Sequence, residues 1–143
     1  MKRKPEFITP LDVRKLGPQK WILLASLIFY SALLGKIIEV AKGRVTDFAS
    51  VPRLPLVYLL TGNTFHRPAV IHDNLYDGIV SRKMADDIFL EGMLVVVDEL
   101  ALQYKKGGRI RTLWNKAKVN GLKSRAYSMW GAVRTAGGLA YRG

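Results

Sequence analysis

Three residues with chemically active side chains lie close together in residues 69–91, which read AVIHDNLYDGIVSRKMADDIFLE. His72 and Tyr76 are four residues apart and therefore share one face of a predicted helix, with Asp73 next to His72. A histidine has the basicity to take a proton from water at neutral pH. A carboxylate on its other ring nitrogen would fix the tautomer and stabilise the imidazolium, so we predict a histidine and carboxylate site here.

The carboxylate that would face His72 is predicted from the turn that follows. Gly78 and Ser81 mark a short connection, after which a second amphipathic run begins. In a tight helical hairpin centred near residues 79 and 80, equal counts in both directions set His72 opposite Asp86 or Asp87. The sequence therefore predicts a buried pair between a histidine and an aspartate from two different helices.

The residues alone support two interpretations of this cluster. In the first, His72 is a general base and a carboxylate, Asp86 or Asp87, orients it. Asp73 would then hold a hard cation such as Ca²⁺, and main-chain carbonyls from the turn at residues 61–64 or from the loop at Asp47 would complete the site. In the second, His72, Tyr76 and an aspartate satisfy one another as a buried polar network that fixes the helices together. Asp47 itself follows a predicted strand, where an aspartate more commonly caps a turn.

The composition of the 143-residue chain narrows the classes of protein that it fits. Hydrophobic residues make up 49% and charged residues 24%, which indicates one folded domain and argues against disorder. The chain has no cysteine, so disulfides, thiolate metal sites and cysteine nucleophiles are excluded. The motifs GxxxxGK, GxSxG and HExxH are also absent. The histidine and aspartate cluster is therefore the main candidate for chemistry.

The net charge of +12 is concentrated at the two ends of the chain. Residues 1–20 carry six basic and two acidic residues, and residues 105–143 carry ten basic residues and no acidic residue. Such ends predict a polyanionic partner, either nucleic acid or an anionic membrane. A solvated basic surface without a partner has the same composition and is the alternative.

The apolar run WILLASLIFYSALL, residues 21–34, also has two interpretations. Its fourteen uncharged residues are fewer than the roughly twenty that a membrane-spanning helix needs. Its β-branched and aromatic residues, with the run 36–40 across Gly35, instead favour a β-hairpin. We therefore predict a small antiparallel sheet over residues 21–45 and keep the membrane helix as the alternative.

The rest of the chain has helical patterns. A helical hairpin is predicted over residues 68–104, with Pro68 in the first turn of one helix and Ser81 as the N-cap of the other. A third helical region follows, with a predicted break near residues 120–121. Its tryptophans, Trp114 and Trp130, belong either to the core or to a membrane-interface or nucleic-acid face.

These patterns together predict an α+β fold with three regions. Residues 1–20 contain three prolines and form an extended basic arm. Residues 21–104 form the core domain, and residues 105–143 form a basic helical extension.

Three motifs in fixed order carry a resemblance to a known family. TDFASVPR (46–53), AVIHDNLY (69–76) and SRKMADDIF (81–89) closely resemble an uncharacterised domain family encoded by many tailed bacteriophages and prophages. The resemblance spans roughly residues 20–100 and leaves the basic C-terminal region unaccounted for. It implies a virion-associated protein, such as a minor tail, connector or ejection component. Such a protein is made in the host cytoplasm and contacts other virion proteins.

The motif H-D-x-x-Y, with A-D on the following helix, is also similar to phospholipase A2, including the cysteine-free form in parvovirus capsids. This resemblance implies that His72 activates water as the general base and that Asp86 orients it. Tyr76 would donate a hydrogen bond to that aspartate, and Asp73 would bind Ca²⁺. A glycine-rich calcium loop of the phospholipase kind is not evident. The alternative function is therefore a Ca²⁺-dependent hydrolase.

Overall fold

The structure is a computed structural model, and it describes residues 1–18, 20–47, 64–105, 109–136, 138 and 141. Within these residues the chain forms six strands and three helices, which confirms the predicted α+β class. The strands are β1 (Glu6–Phe7), β2 (Val13–Gly17), β3 (Lys20–Leu23), β4 (Leu27–Ser31), β5 (Lys36–Val40) and β6 (Val45–Thr46). The helices are α1 (His66–Leu75), α2 (Arg82–Tyr104) and α3 (Arg109–Ala136).

The strands form two antiparallel sheets of three strands each, with orders β1-β4-β5 and β2-β3-β6. The predicted hairpin of β4 and β5 is present, and Gly35 takes the positive φ of 67° that its turn requires. Leu27 pairs with Val40, and Phe29 with Ile38. All four side chains are buried while their neighbours along each strand are more exposed, so this sheet presents one apolar face to the helices.

The run of residues 21–34 therefore forms strands, as preferred from the sequence. No helix in the described part of the chain is long and apolar enough to cross a membrane.

The first twenty residues differ from the predicted arm, because they contain β1 and β2. Strand β1 pairs with β4, and β2 pairs with β3. Pro5, Pro10 and Pro18 lie beside these short strands and do not interrupt them, so they remove no ladder donor. The Phe7 ring packs 4.6 Å from that of Phe29, which fixes this segment to the sheet.

The helical hairpin is close to its predicted position. Ser81 is the N-cap of α2 and its hydroxyl accepts a hydrogen bond from the Met84 amide at 3.2 Å, as predicted. Glu91 of α2 binds the turn between β4 and β5, where its carboxylate accepts hydrogen bonds from the Ser31 hydroxyl and the amides of Ala32 and Leu33. These contacts join the sheet to α2.

Helix α3 corrects the prediction of a break near residues 120–121, because it is continuous through both. Gly121 is exposed, so its cost is limited to about 1 kcal/mol of helix propensity. The side of α3 that carries Ala126 and Met129 packs against α2, and this packing stabilises the helix through Gly121. Trp114 is also outside the core, with 71% of its surface exposed, whereas Trp130 is partly buried.

The hydrophobic core has two clusters that meet at the helical hairpin. One joins the sheets to α1 and α2 and includes Phe29, Val70 and Ile88. The other joins all three helices and includes Phe89 and Met129. The candidate site lies between the two clusters, because His72 contacts residues of both.

Candidate functional site

The site is centred on Asp86, a residue of α2 whose side chain is completely buried. His72, in the last turn of α1, places its Nε2 2.8 Å from Asp86 Oδ1. Tyr76, one turn further along, donates its hydroxyl to the same oxygen at 2.5 Å. Of the two aspartates that the hairpin count set opposite His72, Asp86 is therefore the one in contact. The other candidate, Asp87, instead binds Lys83 and the indole N–H of Trp130.

The second carboxylate oxygen of Asp86 is bound by arginines that the sequence did not indicate. Arg134 of α3 donates Nη1 to Oδ2 at 3.0 Å, and Arg82 Nε lies 3.8 Å from the same atom. Arg82 also donates to the main-chain carbonyls of Val133 and Arg134, near the end of α3. Arg82 precedes Asp86 by four residues on one helix, a spacing that could have identified it. Arg134 is 48 residues away, and no local pattern pointed to it.

The protonation states follow from these contacts. Burial acts to raise the pKa of Asp86, but hydrogen bonds from His72, Tyr76 and Arg134 outweigh it and hold the pKa below its ordinary value. Burial, together with the neighbouring Asp86 carboxylate, raises the pKa of Tyr76 far above its ordinary value. Asp86 is therefore an ionised acceptor and Tyr76 a neutral donor at neutral pH. Since a carboxylate only accepts, His72 Nε2 carries a proton and donates it to this bond.

The His72 side chain is enclosed by aromatic rings. Its ring stacks on Phe89, with centroids 4.6 Å apart and planes inclined by 29°, and lies 4.1 Å from the ring of Tyr76. Only 1% of the residue is exposed. With Nε2 bound to Asp86, Nδ1 is the nitrogen that would act as a base, and it could do so only where water or substrate reaches the ring.

The predicted cation ligands have different surroundings. Arg44 lies against Asp73, with Nη2 3.8 Å from the carboxylate and 3.3 Å from the main-chain oxygen. The same guanidinium binds Asp77 at 2.9 Å. Asp47 is exposed and directly follows β6, which contains Thr46 of the TDFASVPR motif, while residues 48–53 of that motif and residues 61–63 lie outside the described residues.

Ca²⁺ takes six to eight oxygen ligands, and most of the loop that was predicted to supply them lies outside the described residues. A guanidinium already supplies positive charge at Asp73. The part of the chain that the structure describes also contains no group of three or more histidine, cysteine, aspartate or glutamate residues that could hold a metal. The ligand roles of Asp73 and Asp47 stay predictions.

Comparisons with known proteins identify the family of this chain. No match is found among the curated proteins or the solved structures. Residues 21–102 match the family described as Protein of unknown function (DUF1353), a region that includes His72, Tyr76 and Asp86 and ends before Arg134. Since the match covers more than half of the chain, the protein belongs to the DUF1353 family.

Proposed function

We propose that the protein is a virion-associated component of a tailed bacteriophage, made in the host cytoplasm and held in the particle by other virion proteins. The three motifs that resemble phage and prophage proteins support this proposal, as does a charge of +12 suited to an assembly that contains nucleic acid. In this function the centre at Asp86 is structural. It fixes α1, α2 and α3 to one another.

The burial of the His72 ring is the observation that favours an assembly component over an enzyme. A general base must reach a water molecule, but this ring is 1% exposed and packed between Phe89 and Tyr76. Both oxygens of Asp86, a residue of α2, accept hydrogen bonds from His72 and Tyr76 at the end of α1 and from Arg134 of α3. A carboxylate with donors on both oxygens is what a buried network needs to fix helices in place.

The proposal is tested by asking whether the protein is part of the particle. Particles of the phage or prophage that encodes it are purified on a density gradient and analysed by quantitative mass spectrometry. We expect the protein at a constant ratio to the major capsid protein across the particle peak. Its presence in the lysate but not in the particles would contradict the proposal.

The variant His72→Gln separates a structural role from a catalytic one. The glutamine amide can still donate a hydrogen bond to Asp86 but has no basic nitrogen. We expect particles that carry this variant to assemble with the same protein content and to infect normally. Normal assembly with a loss of infectivity would indicate chemistry at His72.

A second candidate function is a phospholipase A2-like hydrolase. It is favoured by one observation: His72 Nε2 and the Tyr76 hydroxyl both bind Asp86 Oδ1, the arrangement that this resemblance implies. His72 would take the proton of a water molecule through Nδ1 while Asp86 holds the ring in orientation. This function requires access to His72, and Ca²⁺ at Asp73 would have to displace Arg44.

A vesicle assay tests this second candidate. Purified protein is mixed with anionic phospholipid vesicles, with and without Ca²⁺, and the release of fatty acid is measured beside His72→Gln. We expect no release by the wild type and no rise of Tm on Ca²⁺ titration, since a bound ion would stabilise the folded state. Release that His72→Gln abolishes, while its circular dichroism spectrum stays unchanged, would establish the hydrolase.

A further inference from the structure

Helix α3 has an inner stripe in the core and an outer surface that the fold does not use. Its inner stripe packs against α2 through residues spaced three and four apart, namely Val119, Leu122, Ala126, Met129 and Val133. The helix has 28 residues and is therefore about 42 Å long. Most of the residues between 113 and 128 that lie off this stripe are exposed.

The outer surface carries two rows of cations, each with an exposed aromatic residue. At 100° per residue, Trp114, Lys118 and Arg125 lie along one flank of the helix. Lys116, Lys123 and Tyr127 lie along the other flank. Trp114 is 71% exposed and Tyr127 is 53% exposed. We call these two rows, with the strip between them, the basic face of α3.

The strip between the rows consists mostly of short side chains, and its members from 114 to 128 are Ala117, Asn120, Gly121, Ser124 and Ser128. Most of the strip is on the opposite side of the helix from the inner stripe, although Asn120 and Lys116 also line a cavity beside Ala101 and Tyr104 of α2. A ligand could therefore approach the helix backbone closely while cations contact it from both sides.

The cations of the basic face are not neutralised within the fold. Among the described residues, none of Lys116, Lys118, Lys123 and Arg125 forms an ion pair. Several acidic residues of α2 are engaged elsewhere, Asp87 with Lys83 and Glu99 with Arg67. Helix α3 itself contains no acidic residue. The face is therefore complementary to a polyanion.

The shape of the face distinguishes between polyanions. A helix that lies in a membrane interface buries a broad apolar face with the cations on the other side. Between the two rows of α3, the side chains after Leu113 are instead small and mostly polar, so they do not form a broad apolar face. The major groove of DNA is about 12 Å wide and admits one α-helix, and phosphates line both of its edges. Cations on two flanks of one helix match that arrangement.

We propose that the basic face of α3 binds double-stranded DNA through phosphate contacts and without sequence specificity. Asn120 is the one amide of the strip that could contact a base edge, and its alanine, glycine and serine neighbours provide little readout, whereas lysine and arginine on the flanks bind phosphates. This partner goes beyond virion association, which does not require DNA contact, and either proposal can fail without the other.

Binding is measured with the full-length protein and a fluorescein-labelled DNA duplex of random sequence, by fluorescence anisotropy at several salt concentrations. The test variant replaces Lys116, Lys118, Lys123 and Arg125 with glutamine. If these four cations contact phosphates, raising the salt from about 50 to about 200 mM should weaken the binding of both proteins. The factor by which the wild type loses affinity should be about 100 times larger than the factor for the variant. At low salt the variant should bind at least about 10-fold more weakly.

A matched control removes the same charge elsewhere by replacing the exposed Lys2, Lys4, Lys36 and Lys42 with glutamine. We expect this control to keep the binding and most of the salt dependence of the wild type. Equal losses in both variants would overturn the proposal, because they would indicate a net-charge effect. Binding to anionic vesicles but not to DNA would also overturn it, in favour of a membrane surface.

Discussion

The centre at Asp86 and the basic face of α3 are both charged regions, but the charge is buried in the first and exposed in the second. Asp86 is completely buried and has hydrogen-bond donors on both oxygens. The cations of the basic face are exposed and form no ion pair in the described part of the chain. A buried charge must be satisfied internally, because water cannot solvate it, whereas an exposed charge is available to a partner. We therefore expect the centre at Asp86 to stabilise the fold and the basic face of α3 to bind a partner.

The largest expected effect comes from removing the charge at the centre. Asp86→Asn should lower the free energy of unfolding by about 3–5 kcal/mol, because it leaves Arg134 without its carboxylate in a partly buried position. Urea unfolding followed by circular dichroism measures this difference. The control Asp87→Asn should cost only about 1 kcal/mol, since that carboxylate pairs with the exposed Lys83. Equal costs would remove the distinction between the two aspartates.

A smaller effect is expected from the hydroxyl of Tyr76. Tyr76→Phe keeps the ring in the core but removes the donor to Asp86, which should cost about 1.5–3 kcal/mol because the acceptor is charged. Tyr127→Phe on the basic face should change the free energy of unfolding by less than about 0.5 kcal/mol. Chemical denaturation of both variants provides the comparison. A negligible cost at Tyr76 would mean that the two remaining donors are sufficient for Asp86.

Acid should weaken the same centre. The pKa of Asp86 is lower in the folded chain than in the unfolded chain, so its contribution to stability is fully present above about pH 4. This contribution is lost as the pH falls through the folded pKa, by at most about 1.4 kcal/mol per pH unit. The difference in unfolding free energy between wild type and Asp86→Asn should be constant from pH 7 to 5 and shrink below pH 4. A difference that stays constant to pH 3 would contradict the assigned ionisation.

The smallest effect on stability is expected at the basic face. Replacing Lys116, Lys118, Lys123 and Arg125 with glutamine should change the free energy of unfolding by about 0.5 kcal/mol or less, because these side chains are exposed and form no ion pair among the described residues. Lys118 Nζ lies 5.7 Å from the centre of the Tyr104 ring, a contact at an exposed site. Urea unfolding of this variant checks the assumption behind the DNA-binding test. A loss similar to that of Asp86→Asn would show that the face has a structural role.

The sequence predicted the parts of the site that depend on local geometry. A separation of four residues sets His72 and Tyr76 on one helix face, and the cap at Ser81 fixes where α2 begins. With both known, a count across the turn narrowed the partner of His72 to Asp86 or Asp87. The hairpin of β4 and β5 was equally predictable from its apolar alternation and Gly35.

The parts that the sequence did not predict depend on distant contacts. Arg134 reaches Asp86 only because α3 packs antiparallel against α2, and nothing in the sequence around Arg134 encodes that approach. Strands β1 and β2 lie among prolines and are short, so their propensity is weak, and pairing with β4 and β3 stabilises them. The exposure of Trp114 similarly depends on where α3 lies relative to α2.

The contacts of Arg82 and Arg134 connect the region that matches the family to the C-terminal helix. The region that matches the family ends at residue 102, but a carboxylate inside it is neutralised by a guanidinium from residue 134. Arg82 in turn binds the carbonyls of the same helix end. A fragment limited to the matched region would lose the Arg134 hydrogen bond to Asp86 Oδ2, keep Arg82 at 3.8 Å, and lack β1 and β2. We therefore expect the C-terminal helix to fold together with the matched region, so that the folding unit extends beyond the boundary of sequence homology.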